Sequence, residues 1–199
     1  MSTIEAFPLP QVAFVLGETV DEVKKTVDYN KVDFGHVVYR GRRVRALDFK
    51  TIVFLAWAHE HKDEVKPLLR LKLYSNLKEH SVVPRLLRSG DVSVRLDSAL
   101  SNVKKRVDEL RKIDTLISEN EAGEKILNGT EIEVYRIAAL LEGGMSVDDV
   151  LRDYPSMTKE QVVTAKAYAD IYPKLGRPYP RITAKAAMDQ IDFSALELD

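Results

Sequence analysis

The sequence has no cysteine. That excludes a disulfide framework and any zinc site built on thiolates, and it makes the reducing cytoplasm the expected location. Long apolar runs are missing as well. The longest, Ile52 to Ala58, falls far short of the roughly 20 residues that span a bilayer, so no membrane partner is expected. The opening ten residues carry Glu5 and two prolines but no basic stretch, so no signal peptide is expected. Histidine is scarce: His36 and His80 stand alone, and His59 and His61 are two apart, on different faces of a helix, which is poor geometry for a shared metal. No Gly-rich phosphate loop is present, and no Ser–His–Asp or Cys–His set. The expectation is therefore a chain with no catalytic residues, no metal and no cofactor, and not an enzyme.

Net charge is also small, −1, but its distribution is uneven. Residues 1–120 hold 21 Lys and Arg against 17 Asp and Glu, whereas residues 121–199 hold 9 against 14. Between Lys24 and Lys50 lie eight basic residues, including Lys24, Lys25, Arg40, Arg42, Arg43 and Arg45, against Asp28, Asp33 and Asp48. A basic patch of this kind attracts phosphate backbones. From Ala186 onward the chain has Asp189, Asp192, Glu197 and Asp199 and no base, interleaved with Met188, Ile191, Phe193, Leu196 and Leu198.

The apolar pattern reads as mainly α. Leu9 to Leu16 is apolar at helical spacing and stops at Gly17, and Thr19 with Glu22 forms a capping box for Val20 to Tyr29. Two short helices joined by a glycine turn match a helix-turn-helix unit. His36 to Leu47 reads as a hairpin turning at Gly41, Asp48 caps a helix from Phe49 to Glu60, and Lys66 to His80 is another. Asp91 to Leu96 alternates as a strand, and a long charged helix continues from it to about Ser118. Its stripe of Leu100, Val103, Val107, Leu110, Ile113 and Ile117 suits packing against the N-terminal domain or against a second copy of the chain. Asn128-Gly129 predicts a second hairpin, Tyr135 to Glu142 a helix stopped by Gly143-Gly144, Ser146 a cap for Val147 to Asp153, and Thr158 with Gln161 a cap for Lys159 to Ile171.

The fold expected is thus two winged helix-turn-helix-like units joined by a strand and a long helix, with an extended tail. The boundaries read as 1–80 for the first unit, 81–122 for the connector and possible dimerisation element, 123–175 for the second unit and 176–199 for the tail.

In the second unit, Asn128-Gly-Thr-Glu-Ile-Glu-Val134 is succeeded by the run from Ile137 through Gly143-Gly144-Met-Ser-Val-Asp-Asp-Val-Leu-Arg-Asp-Tyr-Pro155 and Met157-Thr158. This order of elements, over residues 126–172, resembles the bacterial domain-of-unknown-function family 433, with Glu131 standing where that family usually has Arg. The resemblance implies a VapB-type antitoxin paired with a PIN-like ribonuclease toxin, its longer forms carrying an N-terminal helix-turn-helix domain. It further implies a type II antitoxin that binds operator DNA and represses its own operon; the Leu100–Ile117 stripe and the two-fold symmetry common to such regulators make a homodimer the expected assembly. Lys24, Lys25, Arg40, Arg42, Arg43 and Arg45 are the expected DNA contacts. Arg177 and Arg181, together with Ile191, Phe193, Leu196 and Leu198 in the tail, are the expected toxin contacts. The alternative is a stand-alone transcription regulator with no toxin.

Overall fold

The computed structural model describes residues 5–183. The described residues divide into two compact units between Arg111 and Lys112. Both are helix-rich, with small antiparallel sheets.

The first unit begins with β1 (Ala6–Pro8) and α1 (Leu9–Leu16). Pro10 sits in the first turn of α1, where a missing N–H costs nothing because no intrahelical acceptor exists there. Gly17 ends the helix in the left-handed region at φ 70°, a conformation that glycine adopts without a Cβ penalty. Thr19 then caps α2 (Val20–Asn30), and its reciprocal bonds with Glu22 form the capping box. The hairpin of β2 (Gly35–Tyr39) and β3 (Arg42–Asp48) comes next. Tyr39 pairs with Arg42, so only Arg40 and Gly41 form the turn, and both have positive φ, at 51° and 75°. That is the signature of a type I′ turn, whose twist matches that of the strands. Since β1 pairs with the other edge of β3, the sheet order is β1-β3-β2.

Asp48 caps α3 (Phe49–Glu60) by accepting the Thr51 N–H at 2.7 Å. α3 is buried nearly all round through Ile52, Val53, Phe54, Leu55, Trp57 and Ala58. After α4 (Pro67–Glu79) the same device recurs. β4 (Leu86–Ser89) and β5 (Val92–Arg95) turn at Gly90–Asp91, a buried leucine comes after them, and an aspartate opens a helix. Leu96 and Asp97 occupy the places that Leu47 and Asp48 hold in the first hairpin. The sequence pattern shows β5 but not β4, because Leu86-Leu-Arg-Ser89 does not alternate as Val92-Ser-Val-Arg95 does.

α5 runs from Asp97 to Thr115 and does not reach Ser118. The middle of its stripe is buried inside the chain, whereas Leu100, Ile113 and Ile117 are half-buried. Val103, Val107 and Leu110 are each only 2% exposed, and Arg106 donates to the Phe14 carbonyl at 2.7 Å with its guanidinium over the Phe14 ring. Val103, Val107 and Leu110 therefore meet the first of the two partners that the stripe suits, the N-terminal part of the chain.

The second unit opens with a hairpin in an unexpected register. β6 (Ile117–Glu119) pairs with β7 (Lys125–Leu127), so Ile117 belongs to a strand. The loop between them is organised by Asn120, whose Oδ1 accepts the N–H groups of Ala122 and Glu124, and by Gly123 at φ 78°. The Asn128-Gly129 turn exists, but beyond it only Ile126 and Glu133 form a bridge, where the sequence suggests a full hairpin. The chain must enter α6 (Val134–Glu142) at once, so β7 takes its ladder from β6. α7 (Val147–Asp153) and α8 (Lys159–Ile171) start at the expected caps, Ser146 and Thr158; the Thr158–Gln161 capping box forms as expected, and Ser146 forms a further one with Asp149. The core is Leu127, Val134, Ile137, Leu140, Val150, Met157, Val162 and Ala165.

Residues 173–183 lie along this unit instead of leaving it. Lys174 pairs with Glu124 at 3.1 Å and faces the Tyr135 and Tyr179 rings. The Tyr179 hydroxyl donates to Glu133, and Thr183 is buried. Gly143, at the C-terminus of α6, touches this segment so closely that a Cβ there would overlap the Arg181 carbonyl.

Candidate functional site

The basic residues expected to bind DNA all lie in the first unit, but they do not share one surface. Strand pleating places His36, Val38, Arg43 and Arg45 on one face of the β2–β3 hairpin and Val37, Tyr39, Val44 and Arg42 on the other. Arg40 is at the tip. Arg42 and Arg43 are exposed, and neither has an ion-pair partner among the described residues. Arg45 is different. Its Nη1 donates to Asp28 at 3.1 Å and its guanidinium lies 4.4 Å from the centre of the Phe34 ring, so it ties the hairpin to α2. Lys24 is paired with Asp21 at 2.8 Å, which also holds the Asp21 carboxyl below its usual range. Lys25 is exposed on the same helix.

Between α1 and α2 lies Glu18, whose side chain is only 11% exposed and contacts His59 Nδ1 at 3.0 Å. Its Oε2 is buried without a hydrogen-bond partner. Burial pushes this carboxyl above its ordinary value, against an opposing pull from His59 and with Glu22 adding to the rise. A raised folded-state pKa means that folding binds the proton, so stability declines as pH rises through the window just above the ordinary glutamate range. Glu18→Gln is expected to melt at or above the wild-type temperature at neutral pH. The difference should vanish once Glu18 is protonated in both folded and unfolded chains. Thermal melts across the acid range check this, and a variant less stable than wild type at every pH would refute it.

The remaining histidine of the His-Glu-His triplet, His61, stacks on Trp57 at 5.1 Å and bonds to the Trp57 carbonyl, so it does not turn toward His59. Among the described residues no group of three or more His, Asp or Glu is placed to hold a metal ion. Among those residues, too, no helix is long and apolar enough to cross a membrane.

The sequence pattern misses Arg70. This residue is 4% exposed, on the face of α4 that also buries Leu73, Tyr74 and Leu77. The available signal is its phase: Arg70 precedes Leu73, Tyr74 and Leu77 by three, four and seven positions, which places it on the buried stripe. Of the residues expected to bind a toxin, Arg177 is exposed and Arg181 lies against Gly143. Ile191, Phe193, Leu196 and Leu198 lie outside the described residues.

No solved structure matches the chain. A similar curated sequence is the uncharacterized protein y4eO of Sinorhizobium fredii (strain NBRC 101917 / NGR234), 30% identical over 89 residues. The match covers 43% of this chain and 40% of that protein, so the chain spans about two-fifths of the relative's length. In the second unit, from the β6 strand through most of α8, residues 119–169 match the family described as protein of unknown function (DUF433).

Proposed function

We propose that the chain is a DNA-binding transcription regulator of the antitoxin kind, which binds its own operator through the first unit and a PIN-like ribonuclease toxin through residues beyond Thr183. The observation that carries the DNA part is the Arg40–Gly41 turn with Arg42 and Arg43 beside it. A tight type I′ hairpin holds exposed guanidinium groups next to two helices joined by the three residues Gly17 to Thr19. A winged helix-turn-helix uses such a hairpin to grip phosphates or enter the minor groove while the second helix lies in the major groove. The toxin part rests on the likeness of residues 126–172 to the antitoxin family and on the acidic, apolar composition after Ala186, which suits a basic partner. Pairing of two copies on a palindromic operator rests on symmetry alone.

The test uses the full chain and a version ending at Thr183, which spares the packed segment. Both should bind the duplex upstream of their own gene more tightly than a scrambled duplex, by fluorescence anisotropy. Only the full chain should neutralise the ribonuclease encoded beside it. Equal affinity for both duplexes would overturn the DNA reading. Selective DNA binding without neutralisation would leave a stand-alone regulator.

A further inference from the structure

Arg70 presents a physical problem that the proposed regulator does not solve. A guanidinium cannot shed its proton in a protein, so it must be compensated wherever it is buried. In this chain the compensation comes from one tyrosine and from no carboxylate among the described residues. The Arg70 Nη2 donates to the Tyr29 hydroxyl at 3.2 Å, and the guanidinium lies 5.1 Å from the centre of that ring. Nε is buried with no hydrogen-bond partner at all. No carboxylate pairs with Arg70 among the described residues.

The side chain lines a cleft of about 300 Å³ formed by α2, the end of α3 and the start of α4. Lys25, Lys62 and His59 line the same cleft, and no Asp or Glu does. Lys25 and Lys62 are exposed and make no ion pair among the described residues. Tyr29, 61% exposed, covers the guanidinium from the solvent side. Three cations, none in an ion pair among the described residues and one of them buried, thus line one cleft, and only Lys25 feels nearby acids, Asp21 and Glu22 on its own helix.

We propose that this cleft binds a phosphate group, with Arg70 as the fixed donor, Lys25 and Lys62 as the outer charges, and Tyr29 as a movable cover whose hydroxyl gives up the Arg70 bond when the anion enters. Phosphate fits better than a carboxylate. It can carry two charges against three cations, and its tetrahedral oxygens accept from a guanidinium edge and from both ammonium groups at once. The phosphate could be that of a small phosphorylated ligand or of a nucleic-acid backbone. The chemistry at Arg70 is the same in both cases, and the site stands or falls independently of the operator-binding proposal.

Two arms test it. In the first, the full chain is melted in inorganic phosphate at tens of millimolar and in chloride of matched ionic strength. The wild type is expected to gain at least about 2 °C in phosphate. Arg70→Met keeps the length of the side chain but removes the charge. It should gain nothing in phosphate, and in chloride it should melt at or above the wild-type temperature because a buried charge without a carboxylate partner has gone. In the second arm, affinity for a duplex of arbitrary sequence is measured at fixed salt. A fall of roughly tenfold in Arg70→Met, with little effect of free phosphate on the melt, assigns the site to the nucleic-acid backbone. A lost phosphate response with unchanged duplex binding assigns it to a small ligand. Should Arg70→Met fail to fold, the surface double variant Lys25→Gln, Lys62→Gln must weaken the same response. The proposal is overturned if neither response depends on any of these residues.

Discussion

Replacing Arg42 and Arg43 together by Ala is expected to lower duplex affinity by roughly tenfold to a hundredfold at low salt, with little change in melting temperature. Both side chains are exposed and lack an ion-pair partner among the described residues, so the folded state loses little when they go. Because pleating sends them to opposite faces of the hairpin, a strand-like insertion into a groove would let each meet a different phosphate wall. The slope of log affinity against log salt should then fall by about one for each lost contact, hence by about two in total. A fall of one would mean that a single face of the hairpin meets the backbone, and no fall would remove the hairpin from the interface. Arg45→Ala serves as the contrast. It breaks the Asp28 pair and the Phe34 contact, each partly exposed, so its main effect should be about 0.5–1 kcal/mol of stability.

Gly143→Ala should loosen the segment that crosses the end of α6. The backbone at Gly143 is ordinary, with φ −75° and ψ −2°, so conformational freedom does not explain the glycine. Space does: the added Cβ would occupy the place of the Arg181 carbonyl. Either α6 or the crossing segment must move, at about 1–3 kcal/mol as in other overpacked sites. The segment is the cheaper of the two to displace, because α6 carries Val134, Ile137 and Leu140 in the core whereas the segment is held by Tyr179, Lys174 and buried Thr183. Trypsin should therefore cut after Lys174 and Arg181 faster than in the wild type, by roughly the 5–30-fold that one to two kcal/mol of local stability represents, while helical circular dichroism is retained. Arg177 precedes Pro178 and serves as a resistant internal reference. Unchanged cleavage would show that the segment does not depend on this contact.

Much of this fold is legible in the sequence wherever local chemistry decides the outcome. The capping boxes at Thr19, Ser146 and Thr158 and the left-handed stop at Gly17 need only neighbouring residues, and the residues read as caps do cap. Pairing between strands is less readable. β1 and β4 are three and four residues long and carry no alternation of their own, so only their partners β3 and β5 define them. Asn128-Gly129 misleads for a related reason. A good turn dipeptide fixes a reversal but not the length of the ladder behind it, and Asn120 organises a competing hairpin. The charged residues divide similarly. The identity of the arginines is plain, but their opposite faces, the engagement of Arg45 and the burial of Arg70 all depend on tertiary neighbours. The tail expected to be extended is, as far as Thr183, held against the second unit at Tyr179, Arg181 and Thr183, although most of its side chains are exposed.

The position of β1 has a consequence for the order in which a nascent chain can assemble. Ala6–Pro8 pairs with Ala46–Asp48, so this early strand must wait for the far edge of β3 before it has any partner. Closing a loop of that span is slow relative to forming a two-residue hairpin such as β2–β3, whose strands are adjacent. During synthesis the β2–β3 ribbon and the capped α2 can form while β1 is still unpaired, and β1 docks last, as a clasp on an existing sheet. The arginine hairpin is then in place before the unit that bears it is closed.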